Sequence, residues 1–142
     1  MKTNYYKVAE ALFSVTASDD DFEMMKNYVP FAVSDGMASS CVFQLKVSEG
    51  EAVSYTEELH QDDEGQEIIC GKDDDGCPVF EFVWAHKTAG WLRSQSDYRS
   101  AELTVTGSYR KLAIDNALMI LFALDGRTGN CALPFLNGIF CR

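Results

Sequence analysis

Pro78-Val79-Phe80-Glu81-Phe82-Val83-Trp84-Ala85 is the strongest strand signal in the chain, a block of β-branched and aromatic residues suited to a pleated, half-buried surface. Asp73-Asp74-Asp75-Gly76 precedes it as a turn, and a hairpin follows it directly. Trp91-Leu92-Arg93-Ser94-Gln95 and Ser100-Ala101-Glu102-Leu103-Thr104-Val105-Thr106 continue the pattern, with Ser96-Asp97-Tyr98-Arg99 as the turn between them. That spacing is the spacing of an antiparallel meander.

Upstream of this block, residues 67–70 and 52–55 read as short strands separated by the polar loop Gln61-Asp62-Asp63-Glu64-Gly65. Residues 41–47 alternate from Val42 or Phe43 onward, and Ser48-Glu49-Gly50 closes that strand as a turn. Residues 5–16 combine aromatic and β-branched residues around Ala9-Glu10-Ala11 and read as one long strand or two short ones. Asp19-Asp20-Asp21 suits the cap and first turn of a short helix over residues 21–28, ending before Pro30.

Downstream, the period changes from 2 to 3.6 after Gly107. Leu112, Ala113, Asn116, Ala117, Ile120, Leu121 and Leu124 share one helical face, while Leu118, Met119 and Phe122 make the opposite side apolar too. Such a helix wants cover on both sides: the meander supplies one, and the tail, a second subunit or a further domain supplies the other. Asp125-Gly126 reads as its end. The expected architecture is therefore α+β, a single domain over residues 1–142. An antiparallel meander sheet of about six or seven strands fills a β-rich part (1–107), with a short helix near 21–28. A long apolar helix (108–125) packs on it, and an apolar tail (126–142) follows.

A chain of 142 residues that is 46% hydrophobic can bury a core, which excludes global disorder. Its net charge of −10 repels phosphate backbones and anionic headgroups, so nucleic acid and membrane surfaces are not expected partners. The charge is concentrated: residues 49–81 hold 12 acids against one base, Lys72, for a net −11, and the rest of the chain is nearly neutral. The amino terminus shows no apolar signal segment, and the longest apolar run, residues 117–124, is too short to cross a bilayer. Five cysteines, an odd number without any Cys-x-x-Cys, fit free thiols in a reducing cytoplasm.

Motifs that would carry chemistry are sparse. Asp62-Asp63-Glu64 and Asp73-Asp74-Asp75 sit in turns, where solvated carboxylates are the ordinary reading. An EF-hand aligned on Gly76 fails, because it puts Gly71 first and Phe82 last. His60 and His86 are isolated, and their combination with Cys70 or Cys77 lacks zinc-ligand spacing. Cys41 and Cys70 read as small core residues rather than nucleophiles. Phe80, Phe82, Trp84 and Trp91 read as one side of the core rather than a binding platform. No Gly-x-x-x-x-Gly-Lys-Ser/Thr or Gly-x-Gly-x-x-Gly occurs, so nothing here cradles a phosphate.

Several segments together carry a resemblance. Tyr5-Tyr6-Lys7-Val8-Ala9 leading to Leu12-Phe13-Ser14-Val15, Asn27-Tyr28-Val29-Pro30-Phe31, Phe80-Glu81-Phe82 and Asn116-Ala117-Leu118-Met119-Ile120-Leu121-Phe122-Ala123 are similar to the amino-terminal region of HPr kinase/PEP-carboxykinase-like proteins from gut Bacteroidetes. The resemblance implies a β-rich part, a helix, and then a kinase core with a P-loop. Here Ala132-Leu133-Pro134-Phe135-Leu136-Asn137-Gly138 only faintly echoes the strand that opens that core, and no P-loop follows. What is implied is a noncatalytic accessory domain, a truncated product or a free-standing relative, with no catalytic, cofactor-binding or metal residue transferable. Function is then expected in contact with another protein or in self-association as a homodimer. The candidate contact surface is Leu118, Met119, Phe122, Phe135, Leu136, Ile139 and Phe140. The alternative is a small-ligand or divalent-cation module built on the acidic hairpins at 49–81.

Overall fold

A computed structural model describes residues 1–34, 36 and 38–124. The chain runs through β1 (Lys2–Val8), β2 (Ala11–Ala17), α1 (Asp19–Met24), a 3-10 turn (Lys26–Phe31), β3 (Ala32–Val33) and a second 3-10 turn (Ala38–Ser40). It continues through β4 (Phe43–Glu49), β5 (Thr56–Asp63), β6 (Gln66–Lys72), β7 (Pro78–Trp84), β8 (Lys87–Ser94), β9 (Ser100–Val105) and α2 (Arg110–Ala123).

The strands form one nine-stranded sheet in the order β3-β1-β2-β4-β9-β8-β7-β6-β5. This overturns the expected antiparallel meander of six or seven strands. Consecutive antiparallel pairing holds from β5 to β9, but β4 lies parallel to both β2 and β9, which makes the sheet mixed. Alternation in a sequence encodes which face a side chain takes and says nothing about which strand lies beside it. A parallel neighbour needs a long crossover, and the segment holding α1 and both 3-10 turns supplies one between β2 and β4.

The expected long apolar helix is also corrected. α2 covers only Arg110–Ala123, starts at Tyr109 without a side-chain cap, and carries charge at Lys111 and Asp115. The backbone enters the helix only after the turn at Gly107 (φ +67°), at Arg110 instead of 108, and leaves it at Ala123. Residues 52–55 are not a strand, and the predicted loop at 61–65 is mostly β5, leaving only Glu64 (φ +54°) and Gly65 (φ +89°) as a tight hairpin turn. Residues 5–16 resolve into β1 and β2 around Ala9 and Glu10. The short helix begins at Asp19, capped by Ser18 and ended at Met24, and Pro30 lies within the following 3-10 turn instead of beyond a helix end.

One face of the sheet holds the core. The register stacks Phe13 beside Phe43, Val15 beside Leu45, Val47 beside Leu103, Leu103 beside Leu92, Leu92 beside Phe80 and Phe80 beside Cys70, all buried. α2 lies on this face. It approaches β8 at Gly90, where an added Cβ would stand 3.2 Å from that of Ala113. The second side of α2 is met within the fold, because Phe122 sits edge-on to Phe13 at 4.9 Å and Phe43 at 5.2 Å.

The connection from β4 to β5 has to pass β9, β8, β7 and β6 to reach the far edge of the sheet. It does so over the other face. Gly50 N–H donates to Val105 O, the Tyr55 hydroxyl donates to Glu81 on β7, and Thr56 O lies 1.8 Å from where a Cβ on Gly71 would be. Gly71 is therefore held to glycine by close backbone approach. Val79, Val83 and Trp91, which face this connection, are buried.

Candidate functional site

The acidic hairpins are engaged in local bonding. Asp73 Oδ1 accepts from the Asp75 N–H (3.0 Å) and the Cys77 N–H (2.9 Å), while its Oδ2 accepts from Arg93 Nε on β8. Arg93 Nη2 also reaches Asp75 Oδ2 at 3.3 Å and donates to Cys77 Sγ at 3.5 Å. The Arg93 guanidinium, helped by the two backbone donors, holds the Asp73 carboxyl below its ordinary value. A carboxyl whose folded pKa is depressed stabilises the fold above its unfolded value and loses that contribution as pH falls. Wild-type stability is therefore expected to decline as pH drops below about 3.9, the ordinary Asp value. Urea titrations of Asp73→Asn from neutral to acid pH should show a shallower decline; an unchanged slope would remove Asp73 from the acid limb.

Glu81, half-buried on β7, is bracketed by two hydroxyl donors, Tyr55 at 2.7 Å and Thr88 at 2.5 Å. Burial, then the adjacent Glu81 carboxylate, pushes the Tyr55 phenol well above its usual value. His60 Nε2 pairs with Glu67 Oε1 at 2.6 Å across β5 and β6. Among the described residues no group of three or more His, Cys, Asp and Glu side chains is arranged to hold a metal ion.

The thiols of Cys70 and Cys41 are not activated. Burial, with Glu58 and Glu57 adding to it, pushes Cys70 up to about 11, and burial raises Cys41 as well, against a lowering hydrogen bond from Ser14. Both carry their protons near neutrality, which suppresses the thiolate that nucleophilic attack requires. Among the described residues no helix is long and apolar enough to cross a membrane.

The expected contact surface lies differently from its sequence reading. Leu118 is 1% exposed and belongs to the core, while Met119 and Phe122 are half-buried and packed against it. Phe135, Leu136, Ile139 and Phe140 lie outside the described residues. Of the four aromatics near β7, Phe80 and Phe82 are in the core, Trp91 is buried on the opposite face, and Trp84 is 38% exposed.

The surface that stands out is the 3-10 turn after α1. Val29 is 63% and Phe31 43% exposed there, flanking Pro30. Tyr28 turns the other way, edge-on to Tyr6 at 6.2 Å, and its phenol is raised by burial and then by Asp115. With Tyr28 anchored inward and the Ala32 N–H closing the turn onto Val29 O, the neighbouring apolar side chains are left facing water. β3 continues from this turn and pairs with β1. It forms one wall of a groove of about 370 Å³ lined by Lys7, Glu10, Leu12, Val33, Gly36, Ser40 and Val42. Lys7 Nζ and Glu10 Oε2, 3.8 Å apart, put an exposed ion pair on its rim.

Sequence reading placed Val29-Pro30-Phe31 at a helix end and missed it as a surface. The available signal was a proline between two large apolar residues directly after a six-residue helix. No protein-family model, curated protein or solved structure matches the chain.

Proposed function

We propose that this chain is a noncatalytic contact domain whose working surface is the Val29-Pro30-Phe31 turn with the groove beside it. The observation that carries the reading is the paired exposure of Val29 and Phe31. Among the described residues the only other exposed large apolar side chains are Met1, at the amino terminus, and Trp84. Apolar side chains left together in water mark surfaces that another protein covers. The resemblance of residues 27–31 and the α2 segment to the amino-terminal region of HPr kinase/PEP-carboxykinase-like proteins supports an accessory role. The raised thiols of Cys41 and Cys70 make these two residues poor nucleophiles.

The test is a photo-crosslinking amino acid placed at Phe31, with Lys46, exposed on the sheet, as the control position. In the cells that make the protein, position 31 should give one discrete adduct that Val29→Asp abolishes. Mass spectrometry then tells a second copy from another protein. Val29→Asp should leave stability within about 0.5 kcal/mol, as surface changes ordinarily do. No adduct from position 31, or the same adducts from both positions, would overturn the reading.

A further inference from the structure

Two hairpin tips stand side by side at one end of the sheet. Glu64 and Gly65 join β5 to β6, and Ala85 and His86 join β7 to β8. The Ala85 N–H donates to Gly65 O at 3.1 Å, which ties one tip to the other. Ala85 (φ +51°) and His86 (φ +65°) both hold the left-handed conformation that side chains ordinarily avoid, and this tight turn sets Trp84 directly opposite Lys87. The register then lines up Asp63, Gln66, Trp84 and Lys87 across four strands, Asp63 opposite Gln66 and Gln66 opposite Trp84. They share the face that carries α2, because Gln66 and Trp84 each lie two residues from the core pair Ile68 and Phe82.

α2 brings a further polar group to this row. Gln66 Nε2 donates to Asn116 Oδ1 at 3.5 Å, the long limit of a hydrogen bond. Asn116 is 4% exposed, and among the described residues its Nδ2 has no hydrogen-bond partner. A buried donor left unpaired costs free energy, and nothing in the packing of α2 repays it. Beside it Trp84 is 38% exposed, Gln66 is half-buried, and Asp63 and Lys87 are exposed.

This set of groups selects one ligand chemistry. The negative face of the indole attracts either a cation or a ring whose polarised C–H bonds point at it. The unpaired Asn116 N–H calls for an acceptor, which a cation lacks. The Asp63 carboxylate calls for a donor, which a phosphate or sulfate lacks, and the net charge of −10 repels such anions besides. Hydroxyl groups accept and donate at once, and a ring that carries them on its rim keeps its C–H face for the indole. We propose that the paired tips of β5–β6 and β7–β8, with Asn116 behind them, bind a neutral sugar residue of a glycan. The sugar ring lies on Trp84, and its hydroxyls donate to Asp63 and accept from Lys87. Gln66 leaves its long bond and turns to the ligand, which opens Asn116 Nδ2 to a sugar oxygen. This surface is separate from the Val29-Pro30-Phe31 turn, and its failure would leave that reading untouched.

The experiment screens the full chain on an array of neutral, sialylated and sulfated glycans, then titrates a soluble neutral oligosaccharide taken from the array. Neutral glycans should bind, and the bound oligosaccharide should shield Trp84 from iodide quenching, whereas Trp91, 8% exposed, is protected beforehand. Trp84→Ala should weaken binding by about tenfold or more, since it removes the stacking face. Asp63→Asn should weaken it by a similar factor, since it removes a charged acceptor. Both positions are exposed, so melting should hold in both variants. Asn116→Leu should weaken binding without lowering the melting temperature, because it takes an unpaired donor out of the interior. Absence of neutral-glycan binding, or binding that survives Trp84→Ala, would overturn the proposal. So would binding confined to the sialylated and sulfated glycans, or capture of a trimethyllysine peptide with no neutral glycan bound, which would make Trp84 a cation site.

Discussion

Leu118→Asp is expected to abolish the cooperative melting transition. Leu118 is 1% exposed on α2 and belongs to the core cluster that also holds Phe80, Leu92 and Leu103. Removing a fully buried leucine costs about 2–5 kcal/mol. An unpaired carboxylate in its place adds several more through lost hydration, or takes up a proton at similar expense. Domains of this size hold only about 5–15 kcal/mol in total. Circular dichroism against temperature reads the outcome directly. If Leu118 instead belonged to a contact surface, the same change would leave melting intact and alter assembly alone, so a normal melt would sink the packing account. Phe122→Ala is the graded companion: its ring closes edge-on against Phe13 and Phe43. Its loss should cost about 3 kcal/mol, at the low end for a phenylalanine because it is only half-buried.

Arg110→Met should destabilise the chain by about 3–5 kcal/mol, the range for stranding a buried partner charge. Asp21 is 1% exposed in α1. Its Oδ2 accepts from the Ser18 hydroxyl at 2.9 Å, and that hydroxyl in turn accepts the Asp21 N–H at 3.2 Å, a reciprocal cap of the first helical turn. Arg110 Nη2 lies 3.1 Å from Asp21 Oδ1, but the contact lacks hydrogen-bond geometry, so that oxygen is compensated by charge alone. Removing the guanidinium leaves a carboxylate between two helices and a sheet with no countercharge. Arg110 Nη1 also reaches Glu49 Oε2 at 3.3 Å, but the Glu49 side chain is 75% exposed. Glu49→Gln should therefore cost no more than about 1 kcal/mol, as exposed pairs do. Adding Asp21→Asn to Arg110→Met should recover much of the loss. Chemical denaturation of these variants forms the test, and an Arg110→Met cost no larger than that of Glu49→Gln would refute it.

The parts of the fold that were legible beforehand are those whose side chains face a core. β7 was readable because Val79, Phe80, Phe82 and Val83 are buried, counting both faces of the sheet, and only an interior strand selects such a run. β4 was readable because Phe43, Leu45 and Val47 alternate with exposed Gln44 and Lys46. β5 was not. Its residues are exposed or half-buried, so its extended form comes from main-chain bonds to β6, to which side-chain patterning is blind. Residues 52–55 misled for the opposite reason: Val53 and Tyr55 are half-buried by crossing a sheet face, which imitates a strand without any ladder.

The candidate site divides in the same way. Leu118 and Phe122 looked surplus because the meander was expected to cover only one side of an apolar helix. The nine-stranded sheet brings Phe13 and Phe43 under that side. Val29 and Phe31 drew no notice because exposure is a property of the packed whole, set by the inward turn of Tyr28 onto Tyr6.

By itself, the sequence determined the acidic balance, the strand-rich front, the turns at 73–76 and 96–99 and the apolar helical pattern after Gly107, since each follows from local propensity and side-chain period. Only the tertiary structure decided the parallel ladders of β4, the crossing of residues 50–55, the burial of Leu118, and the exposure of Val29 and Phe31. These depend on which distant segments become neighbours. That choice is settled by the summed burial and backbone pairing of the whole chain, and no window of residues carries it.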